Sequence, residues 1–223
     1  MGKNKLARFA ANELFSNMLQ PSTEECKRGI DLKGKWRSDF FQNEHSLILE
    51  LGCGKGEYTL GLAQRHPMCN FIGMDIKGAR MWHGCKISNE EKMTNVAFLR
   101  TRIQFITLCY AQNEVDEIWI TFPDPQPKKE NKRLTSPWFL QQYRQILKPE
   151  GIIHLKTDDT DLYEYTLHSV IEAEGHHLLR ATADLYNPNN SHLEVMDIQT
   201  FYEQKWLSQG KKIKYLSFQL KKI

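Results

Sequence analysis

The sequence predicts an α/β fold built on a doubly wound, mainly parallel sheet of seven strands, with a C-terminal antiparallel strand and a basic N-terminal helix. Three observations favour this class. From residue 46 onwards, short apolar runs alternate with segments of helical periodicity, as expected for repeated βαβ units. A glycine-rich turn stands between the first strand and its helix. The last run alternates cleanly between two faces, which is typical of an antiparallel strand.

The periodicity places the elements in order. Apolar residues recur at helical spacing over residues 4–19 and predict an amphipathic helix that stops before Pro21. Residues 22–46 are mixed and polar, so we predict a connection there. Strands are predicted over residues 46–51, 71–75, 96–99, 117–122, 152–156, 177–183 and 213–220. The predicted helices cover residues 57–65, 79–93, 103–111, 137–147, 162–174 and 200–207.

The composition is that of a globular protein. With 223 residues, of which 40% are hydrophobic and 26% charged, the chain can bury a core without a disulfide or a metal. No apolar run reaches the roughly 18 residues of a membrane span, and charged residues interrupt the N-terminal segment, unlike a signal peptide. We expect a soluble, cytoplasmic protein without membrane association, with an N-terminal extension over residues 1–45 and a main domain over residues 46–223.

Cysteine and histidine spacing argues against a metal site. The five cysteines lie at least sixteen positions apart, so no zinc-binding or redox pair of the C-x-x-C type exists. The adjacent His176 and His177 would point to opposite faces of a strand. We predict reduced thiols and no bound metal. The sequence leaves a monomer and a homodimer open.

Positive charge is concentrated in three segments. Residues 1–12, 128–133 and 211–223 carry net charges of +3, +3 and +5, whereas the whole chain carries only +3. The remainder of the protein is therefore acidic, with a net charge of −8. Basic segments on an acidic body indicate a protein that holds a polyanion at particular places, although any one such run by itself is more often solvated surface.

The turn after the first strand predicts a cofactor site. Gly52, Gly54 and Gly56 allow a tight turn and a close approach of backbone N–H groups to a ligand at a helix N-terminus. The spacing G-x-G-x-G differs from the dinucleotide fingerprint G-x-G-x-x-G. Glu50 would repel a pyrophosphate but attract a cationic ligand, and Asp75 ends the next strand, where a carboxylate can bind ribose hydroxyls. This combination favours S-adenosylmethionine over NAD.

A second candidate site follows the fourth strand. Asp124 lies between Pro123 and Pro125 at a strand's carboxyl end, where ligands bind in open α/β sheets. Four cations come directly after it, at Lys128, Lys129, Lys132 and Arg133. A buried turn would explain the prolines but not the cations. The sequence predicts a catalytic carboxylate beside a phosphate-binding loop.

At these positions the sequence resembles the bacterial tRNA (guanine-N7-)-methyltransferases. The proline-bracketed aspartate with its basic run is the most specific matching piece, and all pieces occur in the family's order. They are the turn Glu50 to Gly56, the strand end at Asp75, Phe122-Pro123-Asp124-Pro125, Pro127-Lys128-Lys129, Lys132-Arg133-Leu134-Thr135, Lys156-Thr157-Asp158 and Thr200-Phe201-Tyr202-Glu203.

The resemblance implies a class I methyltransferase fold and transfer of a methyl group from S-adenosylmethionine to a guanosine in the variable loop of tRNA. It places Glu50, Asp75 and Asp124 at the cofactor. Arg102 stands where relatives usually carry an aspartate or asparagine near the adenine, so we assign its contact to the backbone. The implied substrate contacts come from Lys128, Asp158, Thr200 and Glu203.

Two alternative functions remain open at the level of sequence. An amino-methyltransferase acting on adenine or cytosine would carry Asp or Asn, then Pro-Pro and an aromatic residue, whereas here Pro125 and Gln126 follow Asp124. A noncatalytic RNA-binding module on the same scaffold has its support in Arg102 and Gln126, which depart from the family's pattern. For guanine N7, which carries no proton, Asp124 would position the base rather than act as a general base.

Overall fold

The computed structural model describes residues 3–190 and 193–222. Eight strands form one sheet: β1 Met18–Leu19, β2 Ser46–Leu51, β3 Cys69–Asp75, β4 Val96–Arg100, β5 Val115–Thr121, β6 Leu147–Thr157, β7 His177–Thr182 and β8 Lys214–Gln219. Their order across the sheet is β1-β4-β3-β2-β5-β6-β8-β7. Strand β8 pairs antiparallel with both β6 and β7, and the other pairs are parallel. The predicted fold class is confirmed.

The helices are α1 Lys3–Asn12, α2 Thr23–Arg28, α3 Glu57–Arg65, α4 Gly78–Glu90, α5 Ile106–Cys109, α6 Pro137–Ile146, α7 Thr160–Glu164 and α8 Phe201–Ser208. Helix α7 continues as a π-helix over Tyr165–Glu172, and a second π-helix spans Trp36–Phe41. Short 3₁₀ turns cover Ile103–Phe105, Glu130–Lys132, Pro188–Asn190 and Glu194–Met196. The predicted helix over residues 103–111 is therefore a 3₁₀ turn followed by one short α-helix.

The predicted helix over residues 4–19 is wrong beyond Asn12. The Asn12 side chain donates to the Gly78 carbonyl oxygen at 2.9 Å, so it binds helix α4 instead of extending α1. The Asn17 amide group donates to Ser88 Oγ at 2.8 Å, and the Asn17 carbonyl oxygen accepts from Phe98 N at 2.7 Å. The first bond fixes Asn17 to α4 and the second aligns β1 with β4, which adds an eighth strand to the seven predicted from sequence.

The sheet is covered on both faces, and residues before position 46 supply part of one layer. Trp36, in the predicted connection, is fully buried. Its Nε1 donates to the Cys109 carbonyl oxygen at 3.0 Å, and its ring stacks on Tyr110 with centroids 5.6 Å apart. Glu114 accepts from the Trp36 backbone N–H at 3.1 Å. The N-terminal segment thus packs into the main core, while the division at residue 45 stays a prediction.

The strand order places a crevice at one edge of the sheet. The chain moves outward from β2 through β3 to β4 on one side, and from β5 to β6 on the other. The connections after β2 and β5 therefore leave in opposite directions, and ligands bind at such a switch point. None of the helices in the described residues is long and apolar enough to cross a membrane.

Replacing Trp36 with alanine should lower the free energy of unfolding by about 3 to 5 kcal/mol, because the change leaves a large cavity in a closed core. Urea denaturation measures this. Leu14→Ala is the control, because Leu14 is 85% exposed and its loss should change stability by less than about 0.5 kcal/mol. A Trp36 variant as stable as the control would contradict the prediction.

Candidate active site

The glycine turn after β2 forms one wall of the crevice. Gly52, Gly54 and Gly56 all have positive φ, at 79°, 57° and 76°. A Cβ added at Gly52 would meet no atom within 4 Å, and one at Gly54 would approach only the Gly52 carbonyl oxygen, at 4.0 Å. Gly56 differs, because its Cβ would lie 2.5 Å from the Phe98 ring. Gly52 and Gly54 therefore face open space, whereas Gly56 is required for close packing of α3.

Glu50 lies at the floor of a cavity of about 120 Å³ beneath this turn. The residue is 4% exposed. Its carboxylate accepts hydrogen bonds from Thr59 N at 2.8 Å, from the Thr59 hydroxyl, and from Thr121 Oγ1 at 2.6 Å. Burial raises the pKa of the Glu50 carboxyl to about 7. The group ties β2 to α3 and β5 and presents negative charge to the cavity once it is ionised.

Asp75 borders this cavity and two neighbouring ones. Its Oδ2 accepts from Gly54 N at 2.9 Å, and its Oδ1 accepts from Lys77 N at 2.8 Å. The carboxylate is thus oriented by backbone donors on both sides. Each oxygen keeps a further lone pair, so Asp75 can accept hydrogen bonds from a ligand with two adjacent hydroxyls.

The neighbouring cavity, of about 340 Å³, contains Arg102 in its lining. Ile103, Leu134 and Phe139 give this cavity an apolar surface suited to a flat ring. The Arg102 side chain is exposed, while its backbone forms the start of the 3₁₀ turn. This placement is compatible with the backbone role expected for Arg102.

Asp124 lies in a cleft of about 660 Å³ that opens from the same crevice. Its Oδ1 accepts from Gln126 N at 3.1 Å, and the side chain is exposed. Phe122 and Gln126 both have φ of 47°, a left-handed conformation that costs a non-glycine residue roughly 1 kcal/mol and is found at functional sites. Phe122 N donates to the Lys156 carbonyl oxygen at 2.8 Å, which fixes the start of the loop.

The basic loop after Asp124 contains two kinds of cation. Lys128, Lys129 and Lys132 are exposed, and Lys132 lines the cleft. Arg133 was grouped with them by sequence, but it is 4% exposed. Its Nε donates to the Pro125 carbonyl oxygen at 3.0 Å and its guanidinium lies 4.3 Å from the centre of the Tyr165 ring. Arg133 therefore holds the loop in place instead of facing solvent.

The cations of the C-terminal basic segment do not form a single surface. Lys211 pairs with Asp158 Oδ2 at 2.8 Å in the wall of the cleft, while Lys222 pairs with Glu150 at 2.8 Å. Strand β8 runs between these lysines, so they lie at opposite edges of the sheet. In the N-terminal segment, the Arg8 guanidinium lies 4.9 Å from the Trp82 ring centre. Residues 1 and 2 and the side chains of Lys3 and Lys5 lie outside the described part of the structure.

Thr200 and Glu203, both expected at the substrate, have different positions. Thr200 caps α8 by accepting from Glu203 N at 3.3 Å, and it lines the small cavity. Glu203 is fully buried and pairs with Lys156 at 2.8 Å, where Tyr186 also donates to it at 2.6 Å. Burial lowers the pKa of Lys156. Glu203 therefore lies behind the residues that line the cleft, and the substrate contact expected for it stays a prediction.

Sequence reasoning missed several residues that line the cleft. Lys77 and Arg80, at the start of α4, add two cations to it. They follow Asp75 closely, so their place after a strand's carboxyl end was the signal available. Tyr202 and Trp206 line the cleft from α8. Among the described residues, no cluster of three or more histidine, cysteine or acidic side chains is arranged to hold a metal ion.

Comparison with known proteins identifies the class. The family model described as "Putative methyltransferase" matches residues 44–216. The 16S rRNA methyltransferase KamB aligns with a TM-score of 0.63 at 15% identity, over 85% of this chain and 92% of that one. A 16S rRNA (adenine(1408)-N(1))-methyltransferase from Catenulisporales acidiphilia aligns with a TM-score of 0.62 at 13% identity, over 86% and 95%. These structures share the fold, and the protein is a methyltransferase of the Rossmann-like class.

Sequence relatives narrow the class to a family. The chain is 53% identical to a tRNA (guanine-N(7)-)-methyltransferase of Christiangramia forsetii, over 98% of this chain and 99% of the relative. It is 48% identical to a protein of the same name from Bacteroides thetaiotaomicron, over 99% and 87%. The chain belongs to the tRNA (guanine-N7-)-methyltransferase family, and the resemblance seen in its motifs is confirmed.

The raised pKa of Glu50 predicts a pH-dependent stability of the ligand-free protein. The folded-state pKa of about 7 exceeds the ordinary 4.5, so folding favours proton uptake by Glu50 and this stabilisation is lost as pH rises from 4.5 through 7. Between pH 5 and 7.5, the wild type should lose about 2 kcal/mol relative to Glu50→Gln, which does not titrate. Urea unfolding at the two pH values tests this, and an equal change in both proteins would contradict it.

Proposed function

We propose that the protein transfers the methyl group of S-adenosylmethionine to N7 of a guanosine in the variable loop of tRNA. The observation that carries this proposal is the juxtaposition of two sites along one crevice. A cavity bordered by Glu50 and Asp75 opens into a cleft that contains Asp124, and exposed lysines surround the cleft. A tRNA substrate implies a cytoplasmic protein. We assign residues 46–223 to the methyltransferase domain and residues 1–45 to an extension packed on it.

The inner cavities fit S-adenosylmethionine. Gly52 and Gly54 leave open space where side chains would intrude, Asp75 offers acceptors for the ribose hydroxyls, and the apolar cavity beside Arg102 suits the adenine. Glu50 and Glu57 border the small cavity and supply negative charge for the amino group and the sulfonium. When bound, the cofactor supplies an electrophilic methyl group. The positive charge of this ligand would favour the ionised form of Glu50.

Asp124 is suited to holding guanine. The base has an N1–H and an exocyclic amino group on one edge, and both can donate to a carboxylate. Guanine N7 carries a lone pair and no proton at neutral pH, so its attack on a methyl group needs no general base. Asp124 would therefore act by orienting N7 towards the inner cavity, with its backbone fixed by Pro123 and Pro125. We assign two further substrate-binding residues: Lys128, four positions after Asp124, and Asp158, which lines the cleft and pairs with Lys211.

The cations around the cleft would bind phosphates beside the target nucleotide. A base must leave its stack to enter such a site, at a cost of a few kcal/mol, and phosphate contacts can offset that cost. The exposed cations available are Lys77, Arg80, Lys128, Lys129 and Lys132. Three of them line the cleft itself, so RNA binding and base insertion would occur on one surface.

Asp124→Ala should reduce kcat for methyl transfer by at least about 100-fold while leaving thermal stability unchanged, because an exposed carboxylate contributes geometry rather than core packing. Transfer to tRNA is measured with labelled cofactor, and digestion of the product identifies the methylated nucleoside. Asp161→Asn, which changes another exposed carboxylate, is the control and should keep full activity. A product other than N7-methylguanosine would refute the proposed function, and an active Asp124→Ala variant would refute this role for the carboxylate.

Replacing Lys129 and Lys132 with alanine should weaken tRNA binding and its salt dependence. Each phosphate of a single-stranded segment that a cation neutralises contributes roughly 0.7 to the slope of log K against log[salt], so losing two such contacts should flatten the slope by about 1.4. Lys128 is left intact because it is expected to touch the substrate directly.

The matched control replaces Lys148 and Lys222, which pair with Asp116 and Glu150 at the opposite edge of the sheet. This variant should keep the wild-type slope, and both variants should keep wild-type affinity for S-adenosylmethionine. If the plots of log K against log[salt] have the same slope for the wild type and for the Lys129 and Lys132 double variant, these two lysines are solvated surface residues that do not contact tRNA.

A further inference from the structure

We infer that Tyr202 is the residue on which the extruded guanine stacks, an inference that rests on the proposed function. Tyr202 borders both the small cavity above Glu50 and the cleft that contains Asp124. It therefore lies where the inner cavity meets the outer cleft. A base held by Asp124 with N7 directed at the inner cavity must pass this junction.

The exposure of Tyr202 is unusual for its position. The side chain is 43% exposed although its immediate neighbour Glu203 is fully buried. An aromatic face left open beside a cleft loses the stabilisation that burial would give, and a nucleobase can restore it by stacking. The motif after Asp124 contains no aromatic residue, because Pro125 and Gln126 follow it. Tyr202 supplies the aromatic surface from a different element, α8.

The backbone around Tyr202 is held on both sides. Phe201 N donates to Glu57 Oε2 at 3.1 Å, and Glu203 N donates to Thr200 Oγ1 at 3.3 Å. The ion pair between Glu203 and Lys156 anchors the next residue inside the protein. The Phe201 ring also contacts the Tyr202 ring, with centroids 5.7 Å apart and planes at 76°. The position of Tyr202 is thus set before any base arrives, which reduces the entropy lost on binding.

The other aromatic residues of α8 are less suited to this role. Trp206 lines the cleft, but the Lys211 and Lys205 ammonium groups already lie 3.9 and 4.9 Å from its ring centre. Phe201 is 54% exposed, but it does not border either cavity and Lys55 lies 4.5 Å from its ring centre. Tyr202 combines exposure, rigidity and a place at the junction.

The test compares Tyr202→Phe, Tyr202→Leu and Trp138→Ala with the wild type. Tyr202→Leu keeps an apolar side chain without a π face, so kcat/KM for tRNA should fall about tenfold to a hundredfold. Tyr202→Phe keeps the aromatic ring and should retain wild-type activity. Trp138→Ala removes a ring of similar exposure that borders neither the small cavity nor the cleft, and it should leave kcat/KM unchanged. Affinity for S-adenosylmethionine and the melting temperature are measured for all variants and should stay constant.

A second measurement reports on stacking without turnover. The target guanosine is replaced by thienoguanosine, a fluorescent analogue that keeps the N1–H and the amino group, lacks N7 and is quenched by stacking. The complex with Tyr202→Leu should be brighter than those with the wild type and Tyr202→Phe. Equal activity and equal fluorescence in the leucine variant would overturn the inference while leaving the proposed function intact. Loss of activity in Tyr202→Phe would also overturn it, because the hydroxyl would then be required. A wild type that forms no N7-methylguanosine would overturn the proposed function and this inference with it.

Discussion

Lys156 connects the two walls of the cleft, and the geometry of the site depends on it. Its carbonyl oxygen holds Phe122 at the start of the loop that carries Asp124. Its buried ammonium group pairs with Glu203 and also donates to the carbonyl oxygens of Val195 and Ile198, at 2.9 and 3.1 Å. One residue of β6 therefore fixes both the loop after β5 and the segment that leads into α8. Removing one partner of such a buried ion pair typically lowers the free energy of unfolding by about 3 to 5 kcal/mol. The ion pair that positions the cleft wall therefore also stabilises the fold.

Acidic and basic side chains are mixed around the site. The inner cavity is bordered by the carboxyl groups of Glu50, Glu57 and Asp75, with Lys55 and Arg80 beside them. The lining of the outer cleft contains four aspartates and four cations, among them Asp124, Lys77 and Lys132. The acids suit a cationic cofactor and the donor edge of guanine, and the cations suit phosphates, so individual side chains match each part of a ligand and the net charge of a region does not.

Local patterns in the sequence predicted most of the sheet, and tertiary contacts account for what was missed. The bounds of β2 and α3 were predicted from local signals. An apolar run, a glycine turn and a proline each lie within a few residues of the boundary that they indicate. Helix α1 ends early because Asn12 binds Gly78, a partner 66 positions away. The family resemblance implied that Glu203 contacts the substrate, and no local signal shows its pairing with Lys156. Arg133 was counted as a surface cation because its partner Tyr165 is also distant in sequence. Asp124 and Asp75 were placed correctly at strand ends because the topology of parallel sheets gathers those ends together.

Strand β8 is the last strand along the described chain, yet it lies inside the sheet between β6 and β7. During synthesis on the ribosome, β6 must therefore remain an unpaired edge until residues near position 219 have emerged. An open edge of this kind favours pairing between nascent chains. Helix α8, which forms one wall of the cleft, comes directly before β8 in the chain, so it also emerges late. The order of residues thus delays completion of the site until α8 and β8 have been made, so a chain that stops before them carries the glycine turn and Asp124 but lacks a formed cleft.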